Sequence, residues 1–239
     1  FEQYENLFFS PEIDLSIEDL KTTSEASTNL KKQAGNYEDF YFNYGLEYDV
    51  RNSTYKASSG NQTFFYQQLP LVSTNNEISN TFIVTQYKKL NNETDMIGKA
   101  SFYISAVNSI DDSDVRISKR VKMPYSRLRG FEKDKIGPKD GSDYIGGNYV
   151  TSINLSTNLP QILNTMENLD FSYFIDIGNV WGVDYDSAVD QSNFIRSSTG
   201  IGMDWLTPIG PLSFSLTQPL TKKSSDKTES FRFNLGTTF

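Results

Sequence analysis

Apolar and polar residues alternate with a period of two in many separate segments of this 239-residue chain. In the clearest segment, residues 40–49, Phe, Tyr or Leu occupies every even position, and most odd positions hold Asn, Gly, Glu or Asp. Successive side chains of a strand point to opposite faces of a sheet, so this pattern predicts one apolar and one polar face. Such faces are typical of a transmembrane β-barrel, whose strands meet lipid on one side and a wet lumen on the other.

The same alternation recurs often enough to predict about ten strands of barrel type. Turns rich in Asn, Ser and Gly separate most of them at nearly regular spacing, which favours an up-and-down antiparallel topology. Residues 19–36 are polar and show no periodic pattern, so they are interpreted as an unstructured loop. The strands are predicted near residues 7–17, 40–49, 62–71, 78–89, 96–108, 149–156, 169–181, 196–205, 212–217 and 231–239.

The composition excludes several classes of function. The chain has no Cys and no His, which removes disulfides, thiolate nucleophiles, His-based metal sites and a His general base. Its net charge of -8 argues against a nucleic-acid partner held by a basic face. The acidic groups at 111–114 and 184–190 lack the spacing of a calcium-binding loop. We therefore predict no enzymatic activity, no metal site and no cofactor.

The alternation stops between about residues 109 and 147, a stretch much longer than an ordinary hairpin loop. A loop of this length is either disordered or functional. This one contains a short basic and aromatic motif, made of Arg127, Arg129, Gly130 and Phe131. Because strands flank it on both sides, the loop is predicted to fold and to point into the lumen.

Asp176 is the carboxylate that the strand pattern orients most clearly. It lies between Ile175 and Ile177, and if these two side chains face lipid, Asp176 must face the lumen. Glycines at other strand positions that face the lumen are expected to leave space there for the folded loop. These glycines are Gly178, Gly200, Gly202 and Gly236.

Several stretches together resemble the BamA family, the outer-membrane-protein assembly factors. The resemblance implies a barrel of sixteen strands with the Arg-Gly-Phe loop folded inside it, preceded by periplasmic POTRA domains. The match is best from about residue 119 onward. The stretches that carry it are residues 127–131, 136–139, 145–148, 174–181 and 197–239.

The resemblance also predicts the domain organisation. Residues 1–239 are expected to be the C-terminal portion of the barrel domain, about its last ten strands, with the POTRA domains and the first strands absent. The chain opens at Phe1 without the pattern of an export signal. An open sheet would leave two unpaired strand edges in lipid, which is costly, so the chain is expected to be a fragment of a larger protein.

In this family, the arginine that matches Arg129 pairs with the aspartate that matches Asp176. The physical chemistry agrees, since a guanidinium in a partly dry lumen needs a carboxylate to offset its desolvation. The family often has a second lumenal acid at the position of Asn154, and this chain departs from the pattern there.

The resemblance also implies roles for the last strand. Phe231, Phe233, Leu235 and Phe239 are similar to the C-terminal targeting signal that the assembly machinery reads, and an ordinary lipid-facing strand is the alternative. The same strand is expected to meet the first strand at a seam, the proposed lateral gate of the family, which Gly236 would weaken.

The leading hypothesis is a bacterial outer-membrane factor that folds and inserts other β-barrels. It implies outer-membrane lipid, unfolded β-barrel clients and accessory assembly lipoproteins as partners. The alternative is a two-partner-secretion translocator of the same superfamily, which would pass an extended polypeptide through its pore. The long interior loop argues against a third class, a passive porin. A soluble β-sandwich would need a second sheet to cover its Phe and Tyr faces.

Overall fold

A computed structural model describes residues 2–54, 56–91, 93–111, 113–159, 168–191, 193–207 and 210–235. Within these ranges the strands are β1 (Glu2–Tyr4), β2 (Leu7–Leu20), β3 (Gly35–Asp49), β4 (Gly60–Ser73), β5 (Glu77–Asn91), β6 (Met96–Ser109), β7 (Lys139–Asp140), β8 (Asp143–Tyr144), β9 (Tyr149–Asn158), β10 (Leu169–Trp181), β11 (Arg196–Thr207), β12 (Gly210–Thr221) and β13 (Phe231–Leu235). The helices are α1 (Thr28–Lys32) and a 3-10 helix, Ser187–Val189.

Eleven strands of the described residues form one sheet, in the order β1-β2-β3-β4-β5-β6-β9-β10-β11-β12-β13. Every neighbouring pair is antiparallel. β7 and β8 form a separate hairpin within the connection from β6 to β9. The predicted all-β, up-and-down fold is confirmed, and the sheet is open, with β1 and β13 at its edges.

The two faces of the sheet differ as the alternation predicts. The outer face carries exposed apolar side chains, among them Ile13 (66% exposed), Leu15 (70%) and Phe231 (56%). The inner face carries mostly small, polar and charged side chains, of which those next to the connection from β6 to β9, such as Asp176 and Ser198, are buried. Because the register is continuous from β9 through β10 to β11, Asp176 lies opposite Asn154 on one side and Ser198 on the other.

The two ends of the sheet have connections of different kinds. At one end, here called the loop end, lie residues 21–34, 74–76, 110–148, 182–195 and 222–230. At the other end, the turn end, lie the connections whose described residues are 50–54, 56–59, 93–95, 159 and 168. In outer-membrane barrels the longer connections are extracellular and the shorter ones periplasmic. By this rule, the loop end is the side expected to be extracellular.

The prediction of an unstructured loop over residues 19–36 is wrong. β2 continues to Leu20, β3 begins at Gly35, and α1 lies between them. The Ser27 side chain caps α1 by accepting a hydrogen bond from the Leu30 amide at 3.2 Å. Leu30 is the one buried residue of this helix, so the segment has no apolar periodicity that a sequence pattern could reveal.

Residues 110–148, here called the interior loop, pack on the inner face. Met123, Leu128, Phe131 and Ile136 of this loop form an apolar cluster with Val150 of β9 and Val180 of β10. A second cluster, made of Leu30, Ile145 and Val183, lies at the loop end. Within the described parts of the chain, no helix is long and apolar enough to cross a membrane.

Candidate functional site

The central contact of the interior loop is an ion pair between Arg129 and Asp176. Arg129 Nε donates to Asp176 Oδ2 at 2.8 Å, and Arg129 Nη2 donates to Oδ1 at 2.9 Å. The Arg129 backbone amide also donates to Oδ2, at 3.1 Å. Asp176 is fully buried and Arg129 is only 5% exposed. The structure thus brings the two residues together in the bidentate geometry that guanidinium and carboxylate favour.

Asn154 completes the hydrogen bonding around the pair. Its Nδ2 donates to Asp176 Oδ1 at 2.8 Å and to the backbone oxygen of Arg127 at 2.6 Å. The amide therefore joins strand β9 to both the carboxylate and the loop. It also gives Asp176 a further donor without adding a charge, where a second acid would repel it.

An aromatic ring lies beneath the guanidinium. The Arg129 guanidinium carbon is 3.4 Å from the centroid of the Phe174 ring, a cation-π contact in a buried site. A side chain at Gly200 would collide with this ring, because its Cβ would lie 2.7 Å from Phe174 Cζ. Gly200 therefore makes room for a ring that supports Arg129.

The prediction that inward glycines leave space for the loop holds at one of the described positions. A Cβ at Gly178 would lie 2.6 Å from Cε of Met123, which belongs to the interior loop. At Gly200 and Gly202 the prediction is wrong, since the space is used by neighbouring strands: by the Leu216 backbone oxygen of β12 and the Phe174 ring at Gly200, and by the Ser172 hydroxyl at Gly202. Gly236 lies outside the described residues.

Gly130 and Phe131 extend the loop contact toward the last strands. Gly130 has φ +91°, and a Cβ there would meet Ser198 Cβ and Thr217 Oγ1 at 3.3 Å, so the position favours glycine on both counts. Phe131 is 2% exposed, and its carbonyl accepts a hydrogen bond from Arg232 Nη2 at 2.8 Å. The Arg-Gly-Phe motif therefore joins the loop to β10, β11, β12 and β13.

Arg127 has a different environment. Its Nη1 donates to Ser101 Oγ at 2.6 Å, and its guanidinium carbon lies 5.3 Å from the centroid of the Tyr103 ring. Both partners are on the inner face of β6. The loop motif thus reaches strands on either side of β9.

Sequence reasoning missed four further buried arginines. Arg196 donates to both carboxylate oxygens of Asp226, at 2.8 and 2.9 Å, and both side chains are fully buried. Arg232 donates to Glu229 Oε1 at 2.6 Å. Arg232 lies between the exposed Phe231 and Phe233, and Arg196 follows the exposed Ile195, so the alternation that oriented Asp176 orients them inward too. The other two, Arg116 and Arg120, lie in the interior loop, where side chains do not alternate between the two faces of a sheet.

Arg116 connects the start of the interior loop to the opposite part of the sheet. It is 1% exposed and hydrogen-bonds to Asp39 of β3, whose exposure is also 1%. Its backbone amide donates to Glu77 Oε1 of β5 at 2.7 Å, and Glu77 is 2% exposed. Arg116 is therefore the cation that faces two buried acids.

The C-terminal residues that the sequence singled out lie on β13 as far as the structure describes them. Phe231, Phe233 and Leu235 are on the outer face and are 56%, 49% and 61% exposed. The Phe233 ring packs against Phe214 of β12, with 5.0 Å between centroids. Gly236 and Phe239 lie outside the described residues. The roles of this strand as a signal and as a seam remain predictions.

The acidic groups near Asp184 take part in the packing of the loop end. Asp184 Oδ2 accepts a hydrogen bond from the Val115 amide at 2.7 Å, and Oδ1 accepts one from Arg120 Nη2. Burial alone raises the pKa of this carboxyl, but these hydrogen bonds outweigh it, so the pKa lies below its usual value. Among the described residues, no group of three or more acids is arranged to hold a metal ion.

Acidification is expected to loosen the loop end through Asp184. Because its pKa is depressed in the folded state, its contribution to stability is complete above about pH 4 and is lost as pH falls through the lower folded value. The native protein should therefore be more stable to urea than Asp184→Asn at neutral pH, and the difference should shrink on acidification. Asp143→Asn, at an exposed position of the interior loop, is the control. A difference independent of pH would contradict the assignment.

The family model that matches this chain is the Omp85 superfamily domain, over residues 4–239. The outer membrane protein assembly factor BamA of Neisseria meningitidis serogroup B is 31% identical over 139 residues, which cover 47% of this chain and 17% of that protein. The BamA of Neorickettsia risticii is 30% identical over 117 residues, 48% of this chain and 16% of that protein. The chain thus covers less than a fifth of either relative.

A solved structure resembles the whole fold. The crystal structure of BamA from Haemophilus ducreyi lacking POTRA domains 1–3 matches 98% of this chain and 51% of its own chain, with a TM-score of 0.86. The sequence identity of this match is 24%. The match therefore shows that the two chains share a fold. The 239-residue chain spans about half the length of the Haemophilus ducreyi chain.

Proposed function

The chain belongs to the Omp85 superfamily, and on that premise we propose that it takes part in folding and inserting other β-barrel proteins into the outer membrane. It is a protein of the bacterial outer membrane, as its family, its BamA relatives and its barrel fold indicate. The observation that carries the functional proposal is the interior loop, held across the inner face by the buried Arg129 and Asp176 pair. Unfolded barrel proteins would be the clients.

We propose that the sheet is the C-terminal part of a larger barrel. The described sheet has free edges at β1 and β13, and unpaired backbone groups at such edges cost several kcal/mol each in lipid. Further strands of the same protein would cover them, with POTRA domains before those strands. The 51% coverage of the BamA barrel structure supports this arrangement.

In this proposal the sheet edge contacts the client and the interior loop holds the barrel shape. An unfolded strand can pair with an exposed edge through main-chain hydrogen bonds, which do not depend on client sequence. β13, with Phe231, Phe233 and Leu235 on its outer face, would present such an edge when its seam with the first strand opens. The loop supports the wall from inside, so that the seam can open without collapse of the barrel.

The test uses the full-length protein that carries this chain, reconstituted in lipid vesicles. A urea-unfolded outer-membrane β-barrel is added, and its folding is followed by the shift in gel mobility that folded barrels show without boiling. We expect faster client folding than in empty vesicles, and slower folding with Arg129→Ala after correction for the folded fraction of the variant. Lys21→Ala, which removes an exposed ion pair with Asp19, should leave the rate unchanged.

The same preparation distinguishes the translocator. An assembly factor leaves the client embedded in the vesicle membrane, where it resists extraction by carbonate. A translocator would deliver an extended polypeptide into the vesicle interior, where added protease cannot reach it and carbonate releases it. Client folding no faster than in empty vesicles would refute the assembly function.

A further inference from the structure

Arg127 differs from every other arginine of the chain. The sequence contains seven arginines, and six of them form an ion pair with a carboxylate: Arg51, Arg116, Arg120, Arg129, Arg196 and Arg232. Arg127 has no carboxylate partner among the residues that the structure describes. Its recorded side-chain partners are the Ser101 hydroxyl and the Tyr103 ring, which are both neutral.

A partly buried guanidinium with neutral partners retains most of its capacity to bind an anion. Asp176, the acid on β10 that the loop motif contacts, is already engaged by Arg129 and Asn154. The Arg127 backbone is fixed by the hydrogen bond from Asn154 to its carbonyl. The guanidinium is therefore held at a defined place, and little ordering would be needed when an anion binds.

Arg127 borders a cavity of about 450 Å³ between the interior loop and the turn end. Lys99, Ser101 and Asn154 also line it, as do Phe171 and Asp204. At the turn end stands an ion pair between Lys56 and Asp170, at 2.5 Å, with both side chains about half exposed. The volume lies in the range of sites that bind small ligands.

We propose that this cavity binds the carboxylate of a short peptide segment that enters from the turn end, with Arg127 as the residue that contacts the carboxylate. The planar fork of an arginine matches the two oxygens of a carboxylate. Lys99 and Asp204 in the same wall have opposite charges, so the planar fork of Arg127, rather than the total charge of the wall, is expected to favour a carboxylate. Phe171 and Ile97 provide apolar surface for the side chain beside the carboxylate. The proposal concerns binding alone and holds whether or not the chain assembles barrels.

The test measures binding of a tripeptide with an aromatic last residue to the full chain in detergent micelles, by calorimetry at low salt. The peptide is used as the free acid and as the C-terminal amide. We expect the free acid to bind and the amide to bind at least about tenfold more weakly, because the amide cannot pair with Arg127. Arg127→Gln should weaken binding of the free acid by about the same factor.

Two further variants keep the test decisive if Arg127→Gln folds poorly. Asp204→Asn removes a negative charge from the cavity wall but can still accept the hydrogen bond from Ser213, so it should tighten binding of the free acid about threefold. Lys89→Gln removes an exposed charge at the turn end, outside the cavity, and should have no effect. Equal binding of acid and amide, no change with Asp204→Asn, or tighter binding of inorganic phosphate would each overturn the proposal.

Discussion

Replacing Arg129 with alanine is expected to destabilise the folded chain by on the order of 3 to 5 kcal/mol, because it leaves the carboxylate of Asp176 buried without its cation. The midpoint of urea unfolding in detergent micelles, read from gel mobility without boiling, measures the loss. Arg129→Lys should recover only part of it, since an ammonium cannot donate to both oxygens in the fork geometry.

Substitution of Asp176, the other member of the ion pair, provides the matched comparison for Arg129→Ala. Asp176 accepts two hydrogen bonds from the Arg129 side chain, one from its backbone amide and one from Asn154. Asp176→Ala should therefore be at least as destabilising as Arg129→Ala, because it leaves more donors unpaired. Lys21→Ala, at an ion pair whose side chains are 82% and 54% exposed, should change the midpoint little. Effects of equal size at the buried and exposed pairs would contradict this account.

Replacing Arg116 with leucine is expected to be similarly or more destabilising, again on the order of 3 to 5 kcal/mol or above, since two acids lose their cation at once. Asp39 and Glu77 are 1% and 2% exposed, and both face this one guanidinium. Urea unfolding of the same kind measures the change. The interior loop should also become more accessible to protease near its start.

Neutralising the two acids tests whether their charge is the cause. The triple variant Arg116→Leu with Asp39→Asn and Glu77→Gln should regain part of the stability that Arg116→Leu alone loses, because neutral amides cost less to bury than carboxylates. If the triple variant is no more stable than the single one, lost packing rather than unpaired charge explains the effect.

These two contacts, with those of Arg120 and Arg232, explain how one long loop stays inside the sheet. Arg116 bonds to β3, and Arg129 to β10. Strands that are distant in the sheet are thus joined through the loop. The lumen is polar, so the loop is held mainly by ion pairs and hydrogen bonds, together with two small apolar clusters. Such contacts depend on exact geometry, which suits a fixed support more than a mobile plug.

The sequence by itself determined the sheet and the orientation of its strands. Lipid on one side and polar contents on the other impose a strict period of two, which each strand expresses locally without reference to its neighbours. The inward direction of Asp176 followed from Ile175 and Ile177 alone. The loop motif was visible as an interruption of this period, and family resemblance supplied its partner.

Only the tertiary structure decided which distant groups meet inside. Arg116 and Asp39 are far apart in the chain, and nothing local in either segment indicates the other. α1 escaped prediction because its single buried residue, Leu30, packs against Ile145 and Val183 from other loops. That Arg127 bonds to the Ser101 hydroxyl and to no described carboxylate is likewise evident only in the folded structure, because Ser101 belongs to β6 and is distant from the loop in the chain. The alternation of apolar and polar residues shows which face of the sheet a side chain occupies. Ion pairing inside the sheet depends instead on the path of the interior loop across the inner face. The loop sequence has no regular repeat from which that path could be predicted.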